Sequence, residues 1–394
     1  MPATGNGSED IEDIIVLFSY FLDSSCLYAY SLGGISMPFR GPRTDRMRIL
    51  MPHPTGRRLS DWAPALTLAA LVLLLAACSP DQYPQTTLRP RADFARESDQ
   101  IFRTTLLWAT VVFVLVEGAL LLAIWKFRAR PGAAEPVQTH GNTTLEIVWT
   151  IIPAFILAMI AVPTVRTIFR TATKPGPEAL QVEVIGHQWW WEFRYPQLGI
   201  TTAGELRVPA GRTVSLEMTT ADVLHSFWLP QFAGKRDVFP NRYNNLWFKA
   251  EVTGNFPAQC VEFCGIQHSR MAYRIVALDG AEFDAWASAF NTPPKDFAAD
   301  SAASPAVKQG QALFAAKGCV GCHSMYPALP LIGPNLHHVG SRSYVAAGTL
   351  PNTDENLAKW IQNPQAWKQG VLMPNLGLSD DEVKALVAYL RVNQ

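Results

Sequence analysis

The sequence lacks net charge of either sign: 33 Lys and Arg balance 33 Asp and Glu across 394 residues. That balance gives no global attraction to a polyanion and argues against nucleic acid as a partner. No internal repeat is evident, so the chain is not a stacked array. Residues 1–46 read as a mis-called extension upstream of an export signal, and Cys26 among them has no assigned role. Cysteine is scarce at six, yet four of the six fall in two short clusters, "CVEFCGIQHSRM" at 260–271 and "CVGCH" at 319–323. Thiols, imidazoles and thioethers gathered this densely point to bound metal or cofactor.

Long apolar runs are present in three places. The run "APALTLAALVLLLAAC" follows Arg57 and Arg58 and ends on Cys78. A basic region, a short apolar core and a small-residue boundary make a secretory signal peptide. The ending Leu75-Ala76-Ala77-Cys78 resembles the lipobox of bacterial lipoproteins, in which the cysteine heads the mature chain and carries lipid. A plain membrane helix with an incidental cysteine is the alternative. On the lipobox reading Met47 or Met51 is the natural start, and residues 1–77 are an extension plus signal peptide.

The runs at 106–125 and 147–165 are each about 20 residues long, enough to cross roughly 30 Å of hydrocarbon as a helix. Together they predict a transmembrane hairpin within 78–178. Lys126, Arg128 and Arg130 in the turn point it to the cytoplasm, but Arg103, Arg166 and Arg170 flank the other ends, so the export signal decides: both ends of the mature chain lie outside. Glu117 interrupts the first span and is expected to be neutral or to face a protein partner. Pro153 and Pro163 are tolerable in a membrane helix.

Between 179 and 290 the pattern alternates apolar with polar residues. The segments "LQVEVIGHQWWWEFRY", "ELRVPAGRTVSLEMTT", "NNLWFKAEVTGNF" and "MAYRIVALDG" predict an all-β sandwich or barrel. The Pro-, Ala- and Ser-rich stretch 291–304 reads as a flexible linker. From 305 to 394 the periodicity is helical, with Ser379 as N-cap of a final amphipathic helix.

Cys319-Val320-Gly321-Cys322-His323 has the spacing of covalent haem attachment, with His323 as proximal ligand. Met373 is the candidate for the opposite face, where Met paired with His raises the potential and suits electron transfer; Met325 is its rival. A thioredoxin-like pair wants a βαβ setting. A zinc site wants a second pair of ligands, which His337 and His338 do not complete. The domain resembles class I cytochrome c, through "IGPNL" at 332–336, "MP" at 373 and the last helix. That resemblance implies that the first and last helices pack together, bringing Phe314 to Tyr389.

In the other cluster, Cys260, Cys264, His268 and Met271, joined by His225 from "DVLHSFWLP", supply the donor types of a copper electron-transfer site. Two thiolates can bridge two coppers. A Cys₂His₂ zinc shell, a single-thiolate copper site and a Cys260–Cys264 disulfide are the alternatives. The order of "HGNTTLEIVWTIIPA", "GHQWWWEFRY", "DVLHSFWLP" and C-x-E-x-C-x₃-H-x₂-M resembles subunit II of the haem–copper oxygen reductases, the cytochrome c oxidases, over about 90–290.

The resemblance implies a cupredoxin-like domain holding dinuclear copper (CuA), behind a two-helix membrane hairpin and ahead of an all-α cytochrome c domain. Its ligands would be His225, Cys260, Glu262 through its carbonyl, Cys264, His268 and Met271. The Glu262 side chain would reach a magnesium ion shared with subunit I. Trp189 would be the aromatic gateway for electrons, and Glu146 would open a proton path in subunit I. The implied location is the bacterial inner membrane with both metal domains on the periplasmic side. The implied partners are oxidase subunit I, other oxidase subunits, and a donor such as cytochrome c or an upstream reductase complex. A copper-containing nitric oxide reductase, or a quinol-oxidase-type structural subunit without metal, would share the fold. Trp190 stands where many members have Tyr, and Asn241 where many have Gly.

Overall fold

The computed structural model describes residues 83–128, 140–327 and 332–393, with a few isolated positions besides. The signal peptide, Cys78 and Arg130 lie outside the described residues. Two long helices come first, α1 (Asp93–Phe127) and α2 (Thr143–Ala172). Both run past the apolar segments that predict them, because their flanks are polar yet free of helix breakers. At about 1.5 Å per residue each is longer than the roughly 30 Å hydrocarbon core. Their apolar side chains face outward, as a lipid-facing surface must; Phe113 and Phe155 are each 64% exposed. The helix α2 starts on Asn142, whose Oδ1 accepts the Leu145 amide at 3.2 Å. It carries Pro153 and Pro163 internally. Arg170 pairs with Glu97 across the hairpin, and Arg96 with Glu251 of the β domain. Asp93 Oδ1 accepts the Lys249 amide at 2.8 Å, so this end of the hairpin is tied to the sandwich.

Ten strands follow: β1 (Leu180–His187), β2 (Trp190–Tyr195), β3 (Ile200–Ala203), β4 (Glu205–Pro209), β5 (Thr213–Thr220), β6 (His225–Trp228), β7 (Lys235–Val238), β8 (Asn244–Lys249), β9 (Gly254–Cys260) and β10 (Ala272–Leu278). One sheet has the order β3-β2-β1-β5-β8 and the other β4-β10-β9-β6-β7. The pairs β1–β5 and β4–β10 are parallel; the rest are antiparallel. In β10 the period-2 pattern turns Tyr273, Ile275 and Ala277 inward. Between the sheets the Phe227 and Tyr273 rings stack at 4.4 Å, and Trp191 meets Phe227 edge-on at 4.9 Å. Rings of this size each remove about 150–250 Å² from water, which makes them the main source of cohesion.

The β pattern ends sooner than the segment to 290 predicts. Residues Gly280–Phe290 form α3, started by a capping box in which Asp279 accepts the Glu282 amide at 2.8 Å. Phe283 and Phe290 bury its inner face on the sandwich. The C-terminal domain has α4 (Pro305–Ala316), α5 (Asp354–Gln362), α6 (Pro364–Trp367) and α7 (Asp380–Arg391). Ser379 caps α7 in a capping box with Glu382. The first and last helices of this domain cross at Gly310, where a Cβ would lie 2.0 Å from the Ala385 carbonyl oxygen. Only glycine permits that approach. Phe314 and Tyr389 meet beside it, ring centres 5.7 Å apart. Residues 291–304 form no helix or strand, but Phe297 among them is buried in the core of the helical domain, 6.1 Å from the Tyr389 ring.

Candidate functional site

Strands β9 and β10 are antiparallel neighbours, and the Cys260 amide donates to the Met271 carbonyl at 2.9 Å. The twelve-residue stretch from Cys260 to Met271 is therefore a loop whose ends are clamped together. His225 opens β6, next to β9 in the same sheet. The two thiols are free, with Sγ atoms 3.9 Å apart. His225 Nδ1 lies 3.9 Å from Cys260 Sγ, and His268 Nδ1 lies 3.7 Å from Cys264 Sγ. Met271 Sδ is 3.8 Å from Cys264 Sγ, and the Glu262 carbonyl oxygen is 3.3 Å from Cys260 Sγ. His225 and Met271 are fully buried, and each thiol is 3% exposed. The spacing is too wide for the disulfide alternative, whose S–S bond is about 2.05 Å.

The electrostatics favour a shared negative charge. The hydrogen bond from Cys264, with a further one from His225, holds the Cys260 thiol far below its ordinary range; that same bond and burial push Cys264 up. Burial works most strongly against the charged forms of Asp222 and His225, but their mutual hydrogen bond, joined by the Gln188 and Val223 amides on Asp222 and by Cys260 beside His225, outweighs it, holding Asp222 down and His225 up. Asp222 Oδ1 accepts His225 Nε2–H at 2.8 Å, which leaves Nδ1 facing Cys260. Trp189 is buried against the same loop: its Nε1 donates to the Cys264 carbonyl at 2.9 Å, and Gln188 Nε2 to the same oxygen at 2.7 Å.

The second cluster follows α4. A left-handed Gly318 (φ 78°) turns the chain into a single helical turn over Cys319–Gly321. Cys319 and Cys322 are free thiols. His323 Nδ1–H donates to the Pro334 carbonyl at 2.7 Å, leaving Nε2 as the available ligand atom, and burial lowers its pKa. Cys319, Cys322, His323 and Met373 line one cleft of about 260 Å³. Met325 is instead packed in the domain core. Trp189 and Trp190 of the sandwich line the same cleft, so the two clusters are neighbours.

The helical domain is docked on the sandwich by direct bonds in addition to the tether that composition predicts. His337 Nε2–H donates to the Phe290 carbonyl at 2.9 Å and His338 Nε2–H to that of Ala289 at 3.1 Å, satisfying exposed acceptors at the end of α3. Burial depresses both histidines, His338 to about 4. Buried Glu205 accepts the Ser343 amide at 2.6 Å and its hydroxyl at 2.8 Å. Glu262 is half-buried beside Cys260. Glu146 is not brought near either cluster: it sits in the first turn of α2, about 39 Å along the axis from Ala172. Asn241 adopts φ 59°, a backbone that asparagine tolerates best after glycine. Sequence reasoning misses Asp222, whose signal is its place three residues before His225, and Gln188 and Lys368, whose side chains donate to backbone carbonyls.

The chain matches the family described as Cytochrome C oxidase subunit II, transmembrane domain, over residues 90–167. It matches the periplasmic domain of the same subunit over 199–278 and Cytochrome c over 307–394. It is 36% identical over 333 residues to cytochrome c oxidase subunit 2 of Alkalihalophilus pseudofirmus, covering 83% of this chain and 95% of that protein. The subunit 2 of Bacillus sp. PS3 is 33% identical over 357 residues, covering 84% of this chain and 97% of its own length. The solved periplasmic domain of subunit II of cytochrome oxidase from Bradyrhizobium japonicum is 33% identical, with a TM-score of 0.29, covering 29% of this chain and 95% of that domain. With a membrane hairpin, a β-sandwich and a helical haem-type domain in that order, the chain belongs to the cytochrome c oxidase subunit II family, in the form fused to a cytochrome c domain.

Proposed function

We propose that this chain is the electron-accepting subunit of a respiratory oxidase, with a dinuclear copper centre in its sandwich and a covalent haem c in its helical domain. The observation that carries the reading is the near-symmetric donor set: two free thiols 3.9 Å apart, each with an imidazole nitrogen beyond it. Two thiols, each with an imidazole nitrogen beyond it, would suit a pair of copper ions. A Cys₂His₂ zinc shell would leave the Met271 thioether, 3.8 Å from Cys264 Sγ, without use. Single-thiolate copper would leave a second buried thiol unexplained. The ligands would be His225, Cys260, the Glu262 carbonyl, Cys264, His268 and Met271.

The haem fits the second cluster on its donor chemistry: two free thiols, a histidine with Nε2 available, and Met373 on the same cleft. When bound, the two groups supply one-electron carriers linking an external donor to subunit I, where oxygen is reduced to water with proton pumping. The residues of this chain hold those carriers dry and fixed. Trp189 packs between them as the electronic contact. The Glu262 carboxylate would reach a magnesium ion shared with subunit I, and Glu146 would open a proton path there. The hairpin anchors the chain in the bacterial inner membrane with both domains outside, and the donor is cytochrome c or an upstream reductase complex.

Purification of the membrane complex, metal analysis, visible and near-infrared spectra and gas-uptake assays test this. Copper paired with a mixed-valence near-infrared band, a c-type haem band and oxygen uptake are expected. Zinc in the sandwich, or no near-infrared band in copper-loaded protein, refutes the copper assignment. Nitric oxide consumption in place of oxygen uptake reassigns the catalytic partner.

A further inference from the structure

Lys368, in the turn after α6, is only 2% exposed and is among the largest fully buried side chains of the described residues. Burying an ammonium is costly unless its hydrogens are taken up. Its Nζ donates to the Trp189 carbonyl at 2.9 Å and, more weakly, to that of Ala346 at 3.5 Å. The first acceptor belongs to the sandwich and the second to the helical domain, so one amino group spans the boundary. Lys368 also lines the cleft that holds Cys319, Cys322 and His323. On the other side of Trp189, the indole Nε1 donates to the Cys264 carbonyl at 2.9 Å. Two hydrogen bonds and one tryptophan therefore link the wall of the cleft to a proposed copper ligand. Neighbouring residues reinforce the joint, since Gln267 Nε2 donates to the Gln369 carbonyl at 2.8 Å and Arg270 to that of Trp367.

We propose that Lys368 is a positioning residue for electron transfer between the two centres, fixing Trp189 in one relation to both the cleft and Cys264. The inference rests on the copper and haem reading above. Each transfer moves one electron, lost by the haem and gained by the copper pair, with no bond made or broken in the protein. Lys368 acts through the Trp189 backbone, whose carbonyl its Nζ holds. A fixed gap matters because the rate at which an electron tunnels falls steeply with the distance it must cross.

The test uses the intact purified oxidase with Lys368→Met, which keeps the length and loses the donor, and Lys368→Arg, which keeps a donor. Three quantities are read: light-triggered haem-to-copper transfer, the haem and near-infrared bands, and hydrogen exchange of the amides at 188–190. Lys368→Met is expected to keep both bands while transfer slows several-fold and exchange speeds up by about tenfold, the factor that loss of one hydrogen bond gives. Lys368→Arg is expected to restore both rates most of the way. Unchanged transfer and exchange in Lys368→Met, with both bands present, overturn the proposal. Loss of either band in Lys368→Met makes the residue a folding element and overturns it too. Absence of the bands from the unsubstituted complex removes the two-centre reading itself, a result distinct from either.

Discussion

Asp222→Asn tests how the sandwich orients its buried imidazole. Both carboxylate oxygens of Asp222 are occupied by donors: Oδ2 accepts the Gln188 amide at 2.6 Å, while Oδ1 accepts the Val223 amide at 2.7 Å and His225 Nε2–H at 2.8 Å. Asparagine replaces one of those oxygens with an NH₂ group. If that group turns toward Gln188, two donors face each other and the loop carrying Trp189 loses its anchor. If it turns toward His225, the imidazole must shift its proton to Nδ1, the atom facing Cys260 at 3.9 Å. Either way a charge-assisted hydrogen bond worth about 1.5–3 kcal/mol is lost. At about 1.4 kcal/mol per factor of ten, that corresponds to about 10–100-fold weaker metal retention, the range seen when a carboxylate behind a ligating histidine is removed. The assay is competition between the purified complex and a copper chelator, followed by the near-infrared band. The haem band is read alongside, since the hydrogen bonds of Asp222 go to Gln188, Thr220, Val223 and His225 and not to the Cys319–His323 segment. Copper retention within about twofold of the unsubstituted protein would show that the carboxylate does not set the tautomer.

Gly333→Ala would place a Cβ 2.7 Å from His323 Cε1 and 3.0 Å from the Cys322 carbonyl, so the ring must leave its bond to Pro334. A loss of about 1–3 kcal/mol of stability and a lower haem c potential are expected, read by thermal melting and redox titration; unchanged values would show that the ring has room to move. Burial keeps His337 below its ordinary range and His338 near 4, whereas unfolded histidines titrate near 6.5. The neutral, donating forms are thus fully present above about pH 6.5, and their contribution to docking is lost as pH falls from there toward 4. Proteolysis within 291–304 should accelerate over that window, and a flat pH profile would contradict the docking role of this pair. Labelled palmitate should enter the expressed chain and be lost in Cys78→Ser; label retained in that variant would rule out the lipobox.

The parts of this protein legible in the sequence are those in which the chemistry is local. The loop from Cys260 to Met271 keeps five of its six proposed donors within twelve positions, because the antiparallel neighbours β9 and β10 return the chain on itself. Alternation in β10 and the capping serine of α7 are equally local signals. The helix α3 was hidden behind a strand pattern, although Asp279 and Glu282 carry the capping-box spacing. The docked interface leaves no such signal. His337, His338, Lys368 and Gln267 all donate across it to main-chain carbonyls, which every residue type possesses. The linker composition at 291–304 therefore suggests a free tether, while the bonds that fix the domain come from side chains scattered over a hundred positions. Most of these acceptors are backbone oxygens, so substitutions at Trp189, Ala289 or Phe290 cannot remove them. Only a scan of the donating side chains can separate how tightly the haem domain is held from how well its cleft is built.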